Sequence, residues 1–521
     1  MDNGDDFASV HSAAVLAVFS LDSVSTPIVD QLLAAGRLPN LAQIQRSGRR
    51  VDLTEELPGA AYPTLYTGRR LADHGLHFPL QWSGPHQQTL PADHLLSAEL
   101  EAHSLFRRLA GHGVRVLVLD PPECSPHSVD HGVLVSGVEF RARVLLHEWS
   151  RPETFGRDLR SKWGRPPRAD EVFGEPTLRY LLNMRRRLVT GPERLARAAE
   201  RLVGSSEFDL VWITFAAAHQ AGHVLWHPTF LKKNLSAPEE ETLRGAVADV
   251  YARMDEALGR VMARLPPGTD IMVLNSKGMG PNTSRTELLG GMLDQILKQG
   301  RGEGRGPQHN PLWLLRSCVP QSFRAAAAAF LGDRVSYGLA GRLETLGRDW
   351  RRTRAFALPC EVHGFVRFNK KGREARGIVS AEAAPALTEE IIQGLASFED
   401  MGGMTDGGPA VSLVETIAQR VGSGEKIDAL PDLIVHWSAS PSAPVRGVRS
   451  PRFGEVLRSG VGTGRAGNHC PGAWVTLVPA RSQIAPAIRP PARLEDVAAT
   501  MCSALGVPHA DLAGRPLLSV G

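Results

Sequence analysis

Four apolar runs, each closed by a polar residue and separated by helical patterns, constrain the fold of this chain most. They are AAVLAVFSL over 13–21, ending at Asp22; VRVLVLD over 114–120; FDLVWITF over 208–215; and DIMVLNS over 270–276. A run that is apolar at consecutive positions predicts a strand buried on both faces, as in a parallel sheet. Helical patterns lie between the runs. PIVDQLLAAG has Pro27 near its start and Gly36 at its stop, 100–110 and the Arg-rich stretch 178–203 read as helices, and in 247–264 the residues Val250, Met254, Leu258 and Met262 recur every four. Strands alternating with helices predict an α/β fold: a doubly wound, mostly parallel sheet with helices on both faces. Ligands bind such sheets at the carboxyl ends of the strands.

Size and charge narrow the class. The chain has 521 residues, with 59 basic and 55 acidic side chains, a formal balance of +4. No bulk field argues for nucleic acid, and 42% apolar with 22% charged residues excludes wholesale disorder. The five cysteines at 124, 318, 360, 470 and 502 form no CxxC pair, which argues against a zinc ribbon and fits a reducing compartment. The opening MDNGDDF is acidic, unlike a signal peptide, and the run 13–19 is too short to span a membrane. The expectation is a cytoplasmic protein without a membrane or nucleic-acid partner. The expected layout is a tail over 1–12, a core over 13–298, an insertion with a strand pair over 299–430, and a last core segment over 431–521. Further strands are expected within 356–379, 432–438 and 473–478.

The strand ends carry the candidate chemistry. After 208–215 comes AAAHQAGHVLWHP, in which His219 and His223 share one helical face and His227 continues the spacing. Imidazoles at i and i+4 form a common zinc half-site, although a His-rich surface helix has the same spacing. His469, in the Gly-rich GRAGNHCPGAW, is a candidate third ligand or a structural histidine. Asp22 suits a metal ligand or a helix N-cap. Lys277, in the turn NSKGMGPN, sits at the rim where a site is expected, or is an ordinary solvated lysine.

In combination these segments resemble the type I phosphodiesterase and nucleotide pyrophosphatase group of the alkaline phosphatase superfamily. FSLDSVSTPIVDQLLAAGRLPNLAQIQRSGRR resembles the family's first strand, metal-binding Asp and following helix. TGRRLADHGLHF resembles its TG…HG motif, and FDLVWITFAAAHQAGHVLWHP its strand followed by D-x-x-x-H-x-x-W. NSKGMG stands where S-D-H-G-M is expected. FVRFNKKGREARGIV resembles a strand pair of the family, and RAGNHCPGAWVTLVP its late G-x-H-x-x-x-G motif. The resemblance implies an alkaline phosphatase-like fold with insertions. It also implies a bimetallic centre acting on a phosphoryl or sulfuryl group, with a Thr or Ser nucleophile.

This chain departs from that scheme three times. His219 stands where the family has Asp, so the first site becomes His219, His223 and His469. Three neutral imidazoles leave one open tetrahedral position, and the added positive charge should make bound water more acidic. In the second site Asp22 remains, but Ser276 and Lys277 replace an Asp-His pair. An ammonium does not coordinate a cation, so one divalent metal, zinc, is expected, with Lys277 at the second ion's place and in contact with Asp22. The nucleophile position falls on Pro58 without gaps, or on Ala61 in a loop shortened by three; neither has a hydroxyl. Thr64 is the nearest alternative: with Pro63 as first helical residue it would lie in the first turn, either beside an anion or as a helix-start residue without chemistry. The expected activity is a metal-dependent hydrolase of a small phosphate or sulfate ester, phosphodiesterase/nucleotide pyrophosphatase-like, with Lys277 and Thr64 as catalytic candidates. A non-hydrolytic group-transfer enzyme and an anion-binding pseudoenzyme of the same fold are the alternatives.

Overall fold

The computed structural model describes residues 16–91, 103–124, 126, 129–142, 145–171, 176–205, 208–226, 235–298, 348–402, 406–458, 465–484 and 491–520. Residues 13–15, His227 and the first part of the expected insertion, 299–347, lie outside these.

Each of the four apolar runs forms a strand of one nine-stranded sheet: Leu16–Leu21, Val116–Leu119, Leu210–Phe215 and Asp270–Asn275. Leu16–Leu21 pairs in parallel with Leu210–Phe215 on one side and Asp270–Asn275 on the other. Val116–Leu119 extends the parallel set beyond Leu210–Phe215, and Trp474–Val478 adds an antiparallel strand beside Asp270–Asn275.

The reason for continuous apolarity is visible in the parity of the residues. Ala17, Phe19 and Leu21 enter one core, together with Leu117, Leu119, Val211, Ile213 and Phe215. Leu16 and Val18 enter the other, with Val116, Val118, Leu210 and Trp212. Helices cover both faces, as the doubly wound pattern requires. The first core takes helix Ala246–Met262 and the long helix Leu178–Ser205, whose Leu181, Met184, Leu188, Leu195, Ala199 and Leu202 form its buried stripe. The second takes Ala61–Thr67, Leu105–Gly111 and Glu495–Ala504.

A smaller antiparallel sheet, in the order Ala355–Leu358, Gly364–Phe368, Leu433–Trp437, Val411–Thr416, packs around a third core with helices Thr286–Leu297 and Ala384–Ala396. Leu433–Trp437 belongs to this sheet and not to the large one, so the expected division at 430 falls inside the smaller unit. The strands expected within 356–379 form an antiparallel pair, Ala355–Leu358 with Gly364–Phe368, while the segment 365–379 itself is one strand followed by a turn, joined by a single bridge between Lys370 and Val379. Its polar residues tie that turn down. Asn369 Nδ2 donates to the Trp350, Thr353 and Arg376 carbonyls, and Glu374 accepts from Arg367 Nε and Trp82 Nε1, both at 2.8 Å.

Candidate metal and anion site

The neighbouring strands Leu210–Phe215, Leu16–Leu21 and Asp270–Asn275 deliver His219, Asp22 and Lys277 to one edge of the sheet. Helix Ala217–Leu225 starts immediately after its strand and carries both His219 and His223. Its first amides are held by a buried carboxylate: Glu139 Oε2 accepts from Ala216 N at 2.7 Å and Ala217 N at 3.0 Å. The third histidine arrives on strand Gly467–Cys470, which pairs antiparallel with Gly278–Pro281, setting His469 opposite Met279. Helix and strand approach closely because two glycines remove their side chains. A Cβ on Gly222 would sit 2.5 Å from Met279 Cγ, and one on Gly467 would sit 2.3 Å from the Gly222 carbonyl oxygen.

The three imidazoles converge. One ring nitrogen from each of His219, His223 and His469 lies within 4.8 Å of the others, and the ring centroids are 4.6–4.8 Å apart. Hydrogen bonds assign the tautomers of two of them. His219 Nδ1 is 2.9 Å from Asp22 Oδ2, and His223 Nδ1 is 3.1 Å from the Gly467 carbonyl. Each acceptor takes a proton from Nδ1, which leaves an Nε2 lone pair. Those two Nε2 atoms face each other at 3.1 Å, a repulsive arrangement unless a cation lies between them. Zinc–nitrogen bonds of about 2.0–2.1 Å in tetrahedral geometry set ligand nitrogens about 3.3 Å apart, so the residues present fit the metal. His469 Nδ1 is buried with no hydrogen-bond partner. Burial first, then the charge of Arg465, pushes His223 well below the ordinary histidine range; burial and Lys277 do the same to His469. Both are thus neutral, as ligation requires.

Asp22 takes a different place from the one expected. It is fully buried; one carboxylate oxygen is on His219 and the other accepts from Ser23 Oγ at 2.9 Å. It therefore fixes the His219 ring and is not among the three residues whose ring nitrogens converge. Burial alone would raise its carboxyl, but its interaction with His219 and then the Lys277 charge outweigh that and hold it below its usual value.

Lys277 is 2% exposed and makes no ion pair with Asp22. Its nearest carboxylate is Glu123, at 4.0 Å, and its Nζ lies 4.9 Å over the Tyr62 ring. The expected contact with Asp22 is thus corrected to Glu123, which follows strand Val116–Leu119, three strands from Asp270–Asn275 in the sheet. Around Lys277, Ser276 Oγ is buried without a hydrogen-bond partner, while the Tyr62 hydroxyl interacts with the Asp22 carboxylate. Tyr62 and Glu123 escaped the sequence reading. Glu123 carried a usable signal, since it closes the LDPPE segment at the end of a buried strand. Tyr62 carried only its place before Pro63.

Thr64 lies elsewhere. Helix Ala61–Thr67 begins two residues earlier than expected, so Pro63 is its third residue and Thr64 its fourth. Thr64 Oγ1 is 3.0 Å from His74 Nε2, while His74 Nδ1 accepts from Leu76 N. Nε2 therefore carries the proton and donates to the threonine. Burial, with the nearby Arg69 charge, pushes His74 down to about 3. No base faces this hydroxyl, and Ala61 at the helix start has none to offer.

A family model described as type I phosphodiesterase / nucleotide pyrophosphatase matches residues 16–305. Among solved structures, this chain is similar to phosphonoacetate hydrolase from Sinorhizobium meliloti 1021 in complex with phosphonoformate, at 14% identity and TM-score 0.47, covering 95% of this chain and 96% of that one. It is also similar to murine ectonucleotide pyrophosphatase/phosphodiesterase 5, an inactive form in complex with AMP, at 11% identity and TM-score 0.45, covering 97% and 100%. No curated protein matches the chain. No helix among the described residues is long and apolar enough to cross a membrane.

Proposed function

The chain belongs to the type I phosphodiesterase/nucleotide pyrophosphatase family, and from that premise we propose that it hydrolyses a small anionic phosphate or sulfate ester with a single zinc ion held by His219, His223 and His469. The observation that carries this reading is the pair of Nε2 lone pairs facing at 3.1 Å, each fixed by its own Nδ1 partner. A divalent ion bound there supplies Lewis acidity and makes water a stronger nucleophile at neutral pH. Asp22 holds His219 in the ligating tautomer, and the Gly467 carbonyl does so for His223.

Lys277 does the work that the family assigns to a second ion. Its ammonium offers three donors to the equatorial oxygens of the ester, and the unpartnered Ser276 hydroxyl adds one more. With alanine at the start of helix Ala61–Thr67, attack falls to water rather than to a side chain. Direct attack by water passes through no covalent protein intermediate.

Turnover of bis(p-nitrophenyl) phosphate, p-nitrophenyl phosphate and p-nitrophenyl sulfate by the purified protein tests the reading. Turnover of at least one, abolished by a chelator and restored by zinc, is the expected result. No turnover of any by the zinc-loaded protein would remove the hydrolytic reading and leave group transfer or anion binding.

A further inference from the structure

A site with one metal and no side-chain nucleophile still needs an acceptor for the proton of the attacking water. Four carboxylates act electrostatically on His219 or Asp22, or form part of that cluster, and three are committed. Asp22 is bound to His219 and Ser23. Glu139 caps the histidine helix and is fully buried. Glu361 is paired with Arg465. Glu123 alone, among the described residues at this site, has both oxygens free of hydrogen bonds; its one partner is the Lys277 ammonium at 4.0 Å. Its side chain is 20% exposed against 2% for Lys277, so it is the more solvent-accessible of the two.

The backbone presents it deliberately. Glu123 has φ +54° and Asp120 φ +52°, a left-handed conformation that side-chain-bearing residues avoid unless their surroundings impose it. The imposition is visible. Asp120 Oδ1 and Oδ2 accept from Val138 N at 2.7 Å and Glu139 N at 2.6 Å, Tyr66 Oη donates to the Pro122 carbonyl at 3.0 Å, and Glu123 N donates to the Leu145 carbonyl at 3.1 Å. Four bonds hold a strained turn whose result is one uncommitted carboxylate.

We propose that Glu123 is the general base of this site, taking the proton of the water that attacks the ester phosphorus or sulfur. This rests on the hydrolase reading above. In the step, the water oxygen bonds to phosphorus, its proton passes to the Glu123 carboxylate, and the bond to the leaving oxygen breaks. The same proton then passes from Glu123 to that oxygen, so the carboxylate is regenerated and atoms and charge balance. The groups facing Glu123 suit the role. Burial is the largest influence and favours proton uptake, as does the Asp22 charge, while the Lys277 ammonium favours the carboxylate, with a net rise in its proton affinity; the Tyr62 and Tyr66 phenols are held neutral.

The test uses the zinc-loaded full chain and bis(p-nitrophenyl) phosphate, or whichever generic ester the wild type turns over. Glu123→Gln should lower kcat by about 10²-fold or more, with zinc content unchanged and inorganic phosphate, measured by calorimetry, bound at least as tightly. Glu123→Ala should recover part of its lost rate in added formate, a rescue that a merely structural residue would not show. Near-wild-type kcat in Glu123→Gln, or no formate rescue of Glu123→Ala, would overturn the proposal and leave the hydrolase reading standing. Absence of turnover by the wild type would overturn both.

Discussion

Replacing His77 with phenylalanine should remove a defined share of this protein's sensitivity to acid. His77 is 1% exposed, both ring nitrogens lack hydrogen-bond partners, and its edge meets the Phe365 ring at a centroid distance of 5.2 Å. Burial, reinforced by the Arg367 charge, pushes the imidazole down to about 3 from its ordinary 6.5. The folded protein therefore refuses a proton that the unfolded chain accepts. A depressed histidine contributes stability above its unfolded value, and that stability is lost as pH falls from 6.5 towards 3. Linkage makes the loss between pH 7 and pH 5 about 2 kcal/mol for one such group. His74, also pushed down to about 3, adds a similar loss but is present in both proteins and cancels in the comparison. Urea unfolding of the wild type and His77→Phe at pH 7 and pH 5, followed by tryptophan fluorescence, isolates the term. The wild type should lose about 2 kcal/mol more than the variant on acidification. Equal losses in the two proteins would show that the imidazole is charged or hydrated in the folded state, and would refute the burial argument.

Asp22→Asn keeps the shape beside His219 but removes the charge that fixes its tautomer, so zinc affinity measured by chelator competition should fall about 10–100-fold. Unchanged affinity would remove Asp22 from that role. Lys277→Ala should weaken inorganic phosphate binding at least about tenfold in calorimetry, as loss of a charge-assisted donor implies, with zinc content intact; the double change Ser276→Asp, Lys277→His should add a second ion. Thr64→Ala removes a hydroxyl that accepts from His74, so stability should drop by about 1 kcal/mol while kcat stays within about twofold on the same principle that remote hydrogen bonds act on stability. A phosphoryl or sulfuryl adduct trapped on Thr64 would contradict this.

The parts of this architecture that are local in sequence can be read from it. A strand buried on both faces, such as 16–21 or 210–215, has only one way to satisfy apolar residues at every position. The pair His219 and His223 shares a helical face whatever the rest of the chain does. Features that depend on which strands become neighbours are less legible. Lys277 meets Glu123 although the strands Leu16–Leu21 and Leu210–Phe215 lie between the two strands that carry them, and nothing near either residue in sequence announces that crossing. Asp22 looks like a ligand from its motif position. Its conversion into the partner of His219 follows from the imidazole that occupies the place of a carboxylate and reaches back to it. Thr64 was misplaced by one short-range error: the helix starts at Ala61, before Pro63, so the first turn lies two residues upstream of where a proline-led start sets it.

The central claim is a single metal on three imidazoles with an ammonium in place of the second ion. Elemental analysis of the purified protein, beside X-ray absorption at the zinc edge, tests it most directly. The account predicts about one zinc per chain, three nitrogen ligands at about 2.0–2.1 Å, and loss of the metal in His223→Ala. Two ions per chain, or a zinc whose nearest shell includes a carboxylate in place of one imidazole, would contradict it.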